Sequence, residues 1–225
     1  MGNVFALCGP SGVGKTTFLN KLVSNPPELL RFITRATVRE KRPKEIDGID
    51  YDFYGFNSFL HKIYAGDFIH VEQYSQSLYG IEAAKIEGVI QSEEDAIIMT
   101  GIYGAKKLKL IYGENIIPVY MFVDSQKHLL STECLDTSFI TSTMLIERLK
   151  TKISEGIVDI TEDSIEPFIQ NRMYLNYLEM AFVNGVIRQK RSPVYILENK
   201  TGQIEETVQS FIKLRIKCQN INGGK

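Results

Sequence analysis

Tryptophan is absent from the 225 residues, and cysteine and histidine are scarce at three each. Cys8, Cys134 and Cys218 are odd in number, far apart and without any C-x-x-C, which excludes a disulfide framework or a cysteine zinc site and leads one to expect reduced thiols in a cytoplasmic protein. His61, His70 and His128 have no metal-ligand spacing. No run reaches the roughly 18 apolar residues of a membrane span, and the start lacks a basic segment followed by a long apolar one, so neither export nor membrane attachment is expected. Met1-Gly2 opens like a myristoylation site, but Ala6 stands where serine or threonine is needed. A formal charge of −1 gives no general attraction to nucleic acid. There is no internal repeat or low-complexity block, and the polar, Gly-rich end from Asn220 to Lys225 reads as a frayed tail.

What is present begins near the start, and 44% hydrophobic content in a chain of this length suffices for one α/β domain with a sizeable core. Gly9-Pro-Ser-Gly-Val-Gly-Lys-Thr-Thr17 fits the phosphate-binding pattern G-x-x-x-x-G-K-[ST]. The order follows from the chemistry. Gly9, Gly12 and Gly14, with Ser11 and Val13 between them, let backbone N–H groups curl round a phosphate; Lys15 reaches the β and γ phosphates of ATP; the Thr16 hydroxyl ligates Mg²⁺. An apolar strand from Asn3 to Cys8 precedes the loop and a helix from Lys15 to Ser24 follows it, so the helix N-terminus, including Thr17, adds its dipole to the attraction.

Further along, Asn25-Pro-Pro27 breaks the chain, and Leu29 to Thr34 reads as a short strand. A basic stretch follows, with Arg35, Arg39, Lys41 and Arg42, then Glu45 and Gly48-Ile-Asp-Tyr-Asp-Phe53. It is either a solvated surface or a second anion site; bidentate arginines beside tyrosine hydroxyls favour the latter. Periodicity then predicts a helix over 82–91, a buried strand over 95–100, a helix over 103–112, a buried strand over 116–123 and a helix over 125–134. Amphipathic helices over 144–153 and 165–182, a strand over 194–197 and a closing helix over 204–218 complete the pattern. Apolar strands alternating with helices imply an α/β fold with a mainly parallel sheet and ligands at the strands' carboxyl ends.

Thr37-Val-Arg39, Arg42, Glu45, Gly48, Tyr51 and Phe53 carry the spacing T-x-R-x-x-R-x-x-E-x-x-G-x-x-Y-x-F, and Phe59 to Phe68 and Leu78-Tyr79-Gly80 continue it. With the phosphate loop, these pieces resemble guanylate kinase from Val4 to about Tyr79. The resemblance implies a single P-loop kinase domain, with core segments 1–34, 83–125 and 161–219, a substrate-binding insertion at 35–82 and a helical lid near 126–160. It implies ATP and Mg²⁺ on Lys15 and Thr16, and an acceptor phosphate on Arg39, Arg42, Tyr51 and Tyr79 with Glu45 ordering that site. Arg148 falls on a lid arginine position, with an ordinary exposed helix arginine as its other reading. Asn199 is expected either near the adenine or in a turn.

The sequence also departs from that family. His70 stands where a guanine-binding carboxylate is expected and Ile81 where serine or threonine is, with Glu72 two residues on as a replacement acceptor on the same strand face. Met99 and Gly101 occupy the place of a D-x-D, leaving Asp95, Asp124 or substrate phosphates to position the metal. The lid's arginine-rich stretch reads Leu129-Leu-Ser-Thr-Glu-Cys-Leu135, leaving Lys150, Lys152 or Arg172 as replacements. Phosphoryl transfer to a nucleoside monophosphate, GMP or dGMP first, is therefore the expected activity, in a monomer or homodimer. A kinase of the same fold with another small phosphorylated acceptor, and a catalytically weak ATP-binding or protein-interaction module, remain the alternatives.

Overall fold

A computed structural model describes residues 1–74, 76–123, 143–154, 162–188, 194–200 and 202–222. In chain order the elements are β1 (Val4–Cys8), α1 (Lys15–Ser24), β2 (Leu30–Ile33), β3 (Ala36–Thr37), β4 (Asp52–Phe53), α2 (Phe56–Ala65), β5 (Phe68–Tyr74) and β6 (Ser77–Glu82). Then come α3 (Ala83–Ile90), β7 (Asp95–Met99), α4 (Ile102–Tyr112), β8 (Ile116–Phe122), α5 (Thr143–Ser154), α6 (Glu162–Arg188), β9 (Tyr195–Glu198) and α7 (Ile204–Asn222). The larger sheet has the strand order β2-β7-β1-β8-β9, and the smaller one β4-β3-β6-β5.

The chain groups into two compact units, Met1–Leu7 with Glu28–Pro118, and Cys8–Pro27 with Val119–Lys225. In the first, β1 and β2 both run parallel to β7, with Phe5 opposite Ile97 and Phe32 opposite the same residue. These strands read as continuous apolar runs because both faces are covered: Val4, Phe5, Ala6 and Leu7 are wholly buried. Helices α3 and α4 bury Ile86 and Val89, and Ile102, Ala105 and Leu108. The smaller sheet is built on the antiparallel β5–β6 pair, which sets Glu72 opposite Tyr79 and His70 opposite Ile81. Helix α2 seals that sheet with Phe59, whose ring lies 4.7 Å from Phe68, and stops at Gly66, held left-handed at φ 76°.

In the second unit, β8 pairs parallel to β9, with Tyr120 opposite Ile196. Helix α1 turns Phe18 and Leu22 inward, and Phe18 meets Phe211 of α7 edge-on at 5.6 Å. It ends at Asn25 because Pro26 and Pro27 cannot continue it. The elements expected from periodicity are present within a few residues wherever the chain is described. Helix α6 is longer than the predicted 165–182, running from Glu162 to Arg188 and accommodating Pro167 near its start. Helix α7 extends past the predicted Cys218 to Asn222. The helix expected over 125–134, Asp124, Leu135 and most of the expected lid lie outside the described residues.

Candidate functional site

In the second unit, β1 ends at Cys8 and the chain turns through Gly9–Gly14 into α1. The turn is possible because of its glycines. Gly9 has φ 140°, and a Cβ there would lie 2.2 Å from the Met121 carbonyl oxygen. Gly14, left-handed at φ 98°, has space for no Cβ either: Asn199 Nδ2 would be 2.4 Å away. That amide donates to the Val13 carbonyl at 2.7 Å, while Asn199 Oδ1 accepts from Thr207 Oγ1 at 3.1 Å. Asn199, in the connection between β9 and α7 where a turn role was one of its two expected places, thus braces the loop against α7.

Lys15 Nζ donates to the carbonyls of Gly9 and Pro10, the latter at 2.8 Å. Thr16 and Thr17 are exposed in the first turn of α1. Two residues of α6 hold the other side of the loop. Glu179 Oε1 accepts from Gly9 N–H at 3.1 Å, and Asn176 Oδ1 accepts from Ser11 N–H at 2.7 Å. Burial, then the nearby Glu179 carboxylate, raise both the Cys8 thiol and the Tyr120 phenol well above their ordinary pKa values. Cys8 Sγ donates to the Val119 carbonyl at 3.4 Å. Arg148 lies on α5.

A loop without room for Cβ atoms, lysine and threonine at its exit and a helix N-terminus behind it together fit a nucleotide's phosphates. For a divalent cation the described residues hold no cluster of three or more His, Cys, Asp or Glu side chains. Asp95, expected as one substitute carboxylate, is buried at the start of β7 and accepts from Asn3 N–H at 2.9 Å and Asn3 Nδ2 at 3.2 Å. It serves as a structural anchor for Asn3 at the start of β1, and the expectation of a metal ligand there is corrected. The Thr16 hydroxyl remains as the fitting ligand.

In the first unit, the residues expected for an acceptor phosphate converge. Gly48, left-handed at φ 77°, lets its N–H reach the Tyr51 carbonyl at 2.8 Å, which turns Tyr51 back over the loop. Arg39 makes a two-pronged bond to Glu45, Nη1 to Oε2 at 2.7 Å and Nη2 to Oε1 at 2.5 Å, and its guanidinium lies 4.9 Å from the Tyr51 ring centre. Glu45 also accepts from Arg42 N–H at 3.0 Å, with Arg42 Nη1 3.7 Å away. Burial alone would raise the Glu45 pKa; the bonds from Arg39 and the Arg42 amide outweigh it and hold the carboxyl below its usual value. The Tyr51 and Tyr79 rings lie 5.8 Å apart.

Beyond Tyr79 the row continues. Arg35 sits 4.9 Å from the Tyr79 ring centre and donates from Nη1 to Glu72 Oε1 at 2.7 Å, and His70 Nε2 lies 3.4 Å from Glu72 Oε2. His70 and Glu72 therefore share one face of β5, as the strand reading requires. Despite burial, the contacts with His70 and Arg35 leave Glu72 below its usual pKa. Sequence reasoning passed over Asn176 and Glu179 as site residues, and placed Arg35 in the basic stretch without its pairing to Glu72. A readable signal existed for the first two: polar residues three apart on the buried side of an amphipathic helix. The Arg35–Glu72 pairing had none, because it is set by the β3–β6 and β5–β6 registers together.

A family model for guanylate kinase matches residues 1–155. A guanylate kinase of Thermotoga maritima is 25% identical over 217 residues, 95% of this chain and 99% of that one. One of Rhodopseudomonas palustris is 32% identical over 139 residues, 60% of this chain and 63% of that one, and one of Sus scrofa 33% over 117 residues, 52% and 58% respectively. The chain thus spans less than two thirds of the latter two. In fold it is similar to the crystal structure of a guanylate kinase from Anaplasma phagocytophilum, with TM-score 0.61 and 18% identity, covering 96% of this chain and 85% of that one.

Proposed function

The chain belongs to the guanylate kinase family, and from that premise we propose that it transfers the γ-phosphoryl group of ATP to GMP or dGMP. The observation that carries this reading is the convergence of Arg39, Arg42, Glu45, Tyr51 and Tyr79 in one cluster within the matched residues. Glu45 fixes the Arg39 fork, and Arg39, Arg42 and the two tyrosine hydroxyls would hold the acceptor's phosphate. On the donor side the backbone of Gly9, Ser11, Gly12, Val13, Gly14 and Thr17 would cradle the ATP phosphates. Lys15 leaves the Gly9 and Pro10 carbonyls to reach the β and γ oxygens, and Thr16 would ligate Mg²⁺, its other ligands coming from phosphates and water. Magnesium, when bound, spreads the charge on the β and γ oxygens. Arg148 is assigned to the transferring group.

The test is ADP release in a coupled assay with GMP, dGMP, AMP, CMP and UMP, with Lys15→Ala as the blank. Turnover with GMP and dGMP, lost in Lys15→Ala by a factor on the order of 10³, is the expected result. No turnover with any monophosphate, in a protein that thermal shift shows to bind ATP, overturns the proposal.

A further inference from the structure

Beside the first glycine of the phosphate loop lie two titratable groups that the transfer reaction leaves unused, Cys8 and Tyr120, both wholly buried. Cys8 Sγ meets the Val119 carbonyl, and a Cβ on Gly9 would lie 2.2 Å from the Met121 carbonyl oxygen, so Tyr120 stands between the two residues of β8 that touch the exit of β1. Glu179 of α6 is near enough for its charge to raise the pKa of both. The Tyr120 hydroxyl is nevertheless buried with no hydrogen-bond partner among the described residues. Phenylalanine would fill the same space without that cost, so the hydroxyl calls for a use.

The loop is meanwhile held by the chain's own side chains. Lys15 donates to the Gly9 and Pro10 carbonyls. Asn176 grips Ser11 twice, Oδ1 accepting from its N–H at 2.7 Å and Nδ2 donating to its carbonyl at 3.4 Å. Glu179 Oε1 takes the Gly9 N–H at 3.1 Å. Lys15 and Asn176 suit an arriving phosphate, one as a cation and the other as a neutral amide. Glu179 does not, because a carboxylate repels phosphate oxygens where burial limits screening. A carboxylate that leaves Gly9 needs another donor, since among buried groups an anion without one costs more than the bond it gave up. We infer that Tyr120 is a positioning residue of the donor site, the second seat of the Glu179 carboxylate, which accepts from Gly9 N–H before nucleotide binds and from the Tyr120 hydroxyl once phosphates enter the loop. The inference rests on the ATP-binding half of the kinase reading above. The phenol makes a charge-assisted bond to the carboxylate, and Gly9 N–H passes to the phosphate. Each seat is filled in one state only, so the balance between the two sets the affinity for ATP.

Tyr120→Phe tests this, alone and combined with Glu179→Ala, by calorimetric Kd for MgATP, by KM for GMP and by melting temperature without nucleotide. Tyr120→Phe should weaken ATP binding about tenfold, with KM for GMP unchanged. The melting temperature of the nucleotide-free protein should be unchanged or raised, because an unpartnered buried hydroxyl has been removed. In the Glu179→Ala background the same change should leave Kd for ATP unaltered. Tyrosine absorption gives a second reading that needs no Glu179 variant and so stands if Glu179→Ala fails to fold. With no tryptophan in the chain, ATP should shift the long-wavelength edge to the red in wild type, as the phenol becomes a donor to a carboxylate, and the shift should vanish in Tyr120→Phe. Equal ATP affinity in wild type and Tyr120→Phe, an equal loss in both backgrounds, or a loss matched by a lower nucleotide-free melting temperature overturns the inference while the kinase reading stands. A wild type that binds ATP but turns over no monophosphate overturns the kinase reading alone; one that binds no ATP overturns both.

Discussion

At the scale of single residues, Glu45 is the group whose ionisation matters most to the acceptor cluster, since it receives both prongs of Arg39 and the Arg42 amide. Its folded pKa lies below the ordinary glutamate value. A carboxyl lowered in this way contributes stability that is fully present above its unfolded pKa and is lost as pH falls through the folded one. Glu45→Gln should therefore be less stable than wild type near neutrality, with the gap closing as pH drops below the usual glutamate range; chemical denaturation at a series of pH values checks it. A gap that stays constant into acid would mean that packing, and not charge, holds Arg39. Lys15 makes the opposite case. Lys15→Ala should lose transfer by the factor given above while costing only about 1 kcal/mol of stability, the scale of its hydrogen bonds to the loop carbonyls, read as a small change in urea midpoint.

Among the elements, α6 is the one whose role was least visible beforehand. Its amphipathic pattern announced a helix, but nothing in a period tells which polar residue meets a loop more than 160 positions away, and Asn176 and Ser11 are 165 apart. Pro167 also obscured its start, since proline is tolerated in a first turn and disruptive later. With Glu179 and Asn176 fixing the Gly9 and Ser11 amides, α6 sets the shape of the phosphate loop before nucleotide arrives. Asn176→Ala should raise KM for ATP by roughly fivefold, about 1 kcal/mol of lost hydrogen bonding, with kcat and KM for GMP little changed. Glu179→Gln, which retains a carbonyl acceptor, should do less. Equal losses on the ATP and GMP sides would point to general unfolding of the helix. The strands of the insertion were harder still. β3 and β4 hold two residues each, too short for any alternation to register, so only the spacing of Arg39, Arg42, Tyr51 and Phe53 betrayed that segment.

For the molecule as a whole, the buried parallel strands were legible because they are covered on both faces and so carry unbroken apolar runs, as in Val4–Cys8 and Ile116–Phe122. Nucleotide binding followed from the glycines and lysine of the phosphate loop, whose backbone needs leave few substitutes, and the family from the added spacing of Thr37, Arg39, Arg42, Glu45, Gly48, Tyr51 and Phe53. Tertiary pairs such as Arg35–Glu72 were not legible, since they depend on register and not on sequence distance. Global stability should hinge on edge-on contacts such as Phe18 with Phe211: Phe211→Ala is expected to cost about 3–5 kcal/mol, seen as a lowered melting temperature with far-UV circular dichroism of the folded state preserved. Cys8 adds an unplanned instrument. Its thiol is fully buried directly before Gly9, and burial keeps it protonated, so an alkylating reagent can reach it only when the chain there transiently opens. With Cys134→Ser and Cys218→Ser removing the other thiols, the labelling rate becomes a clock for openings at the mouth of the phosphate loop. Nucleotide that binds the closed loop should slow that clock by 1 + [ATP]/Kd, so a single sulfur would report affinity for ATP without any acceptor or turnover.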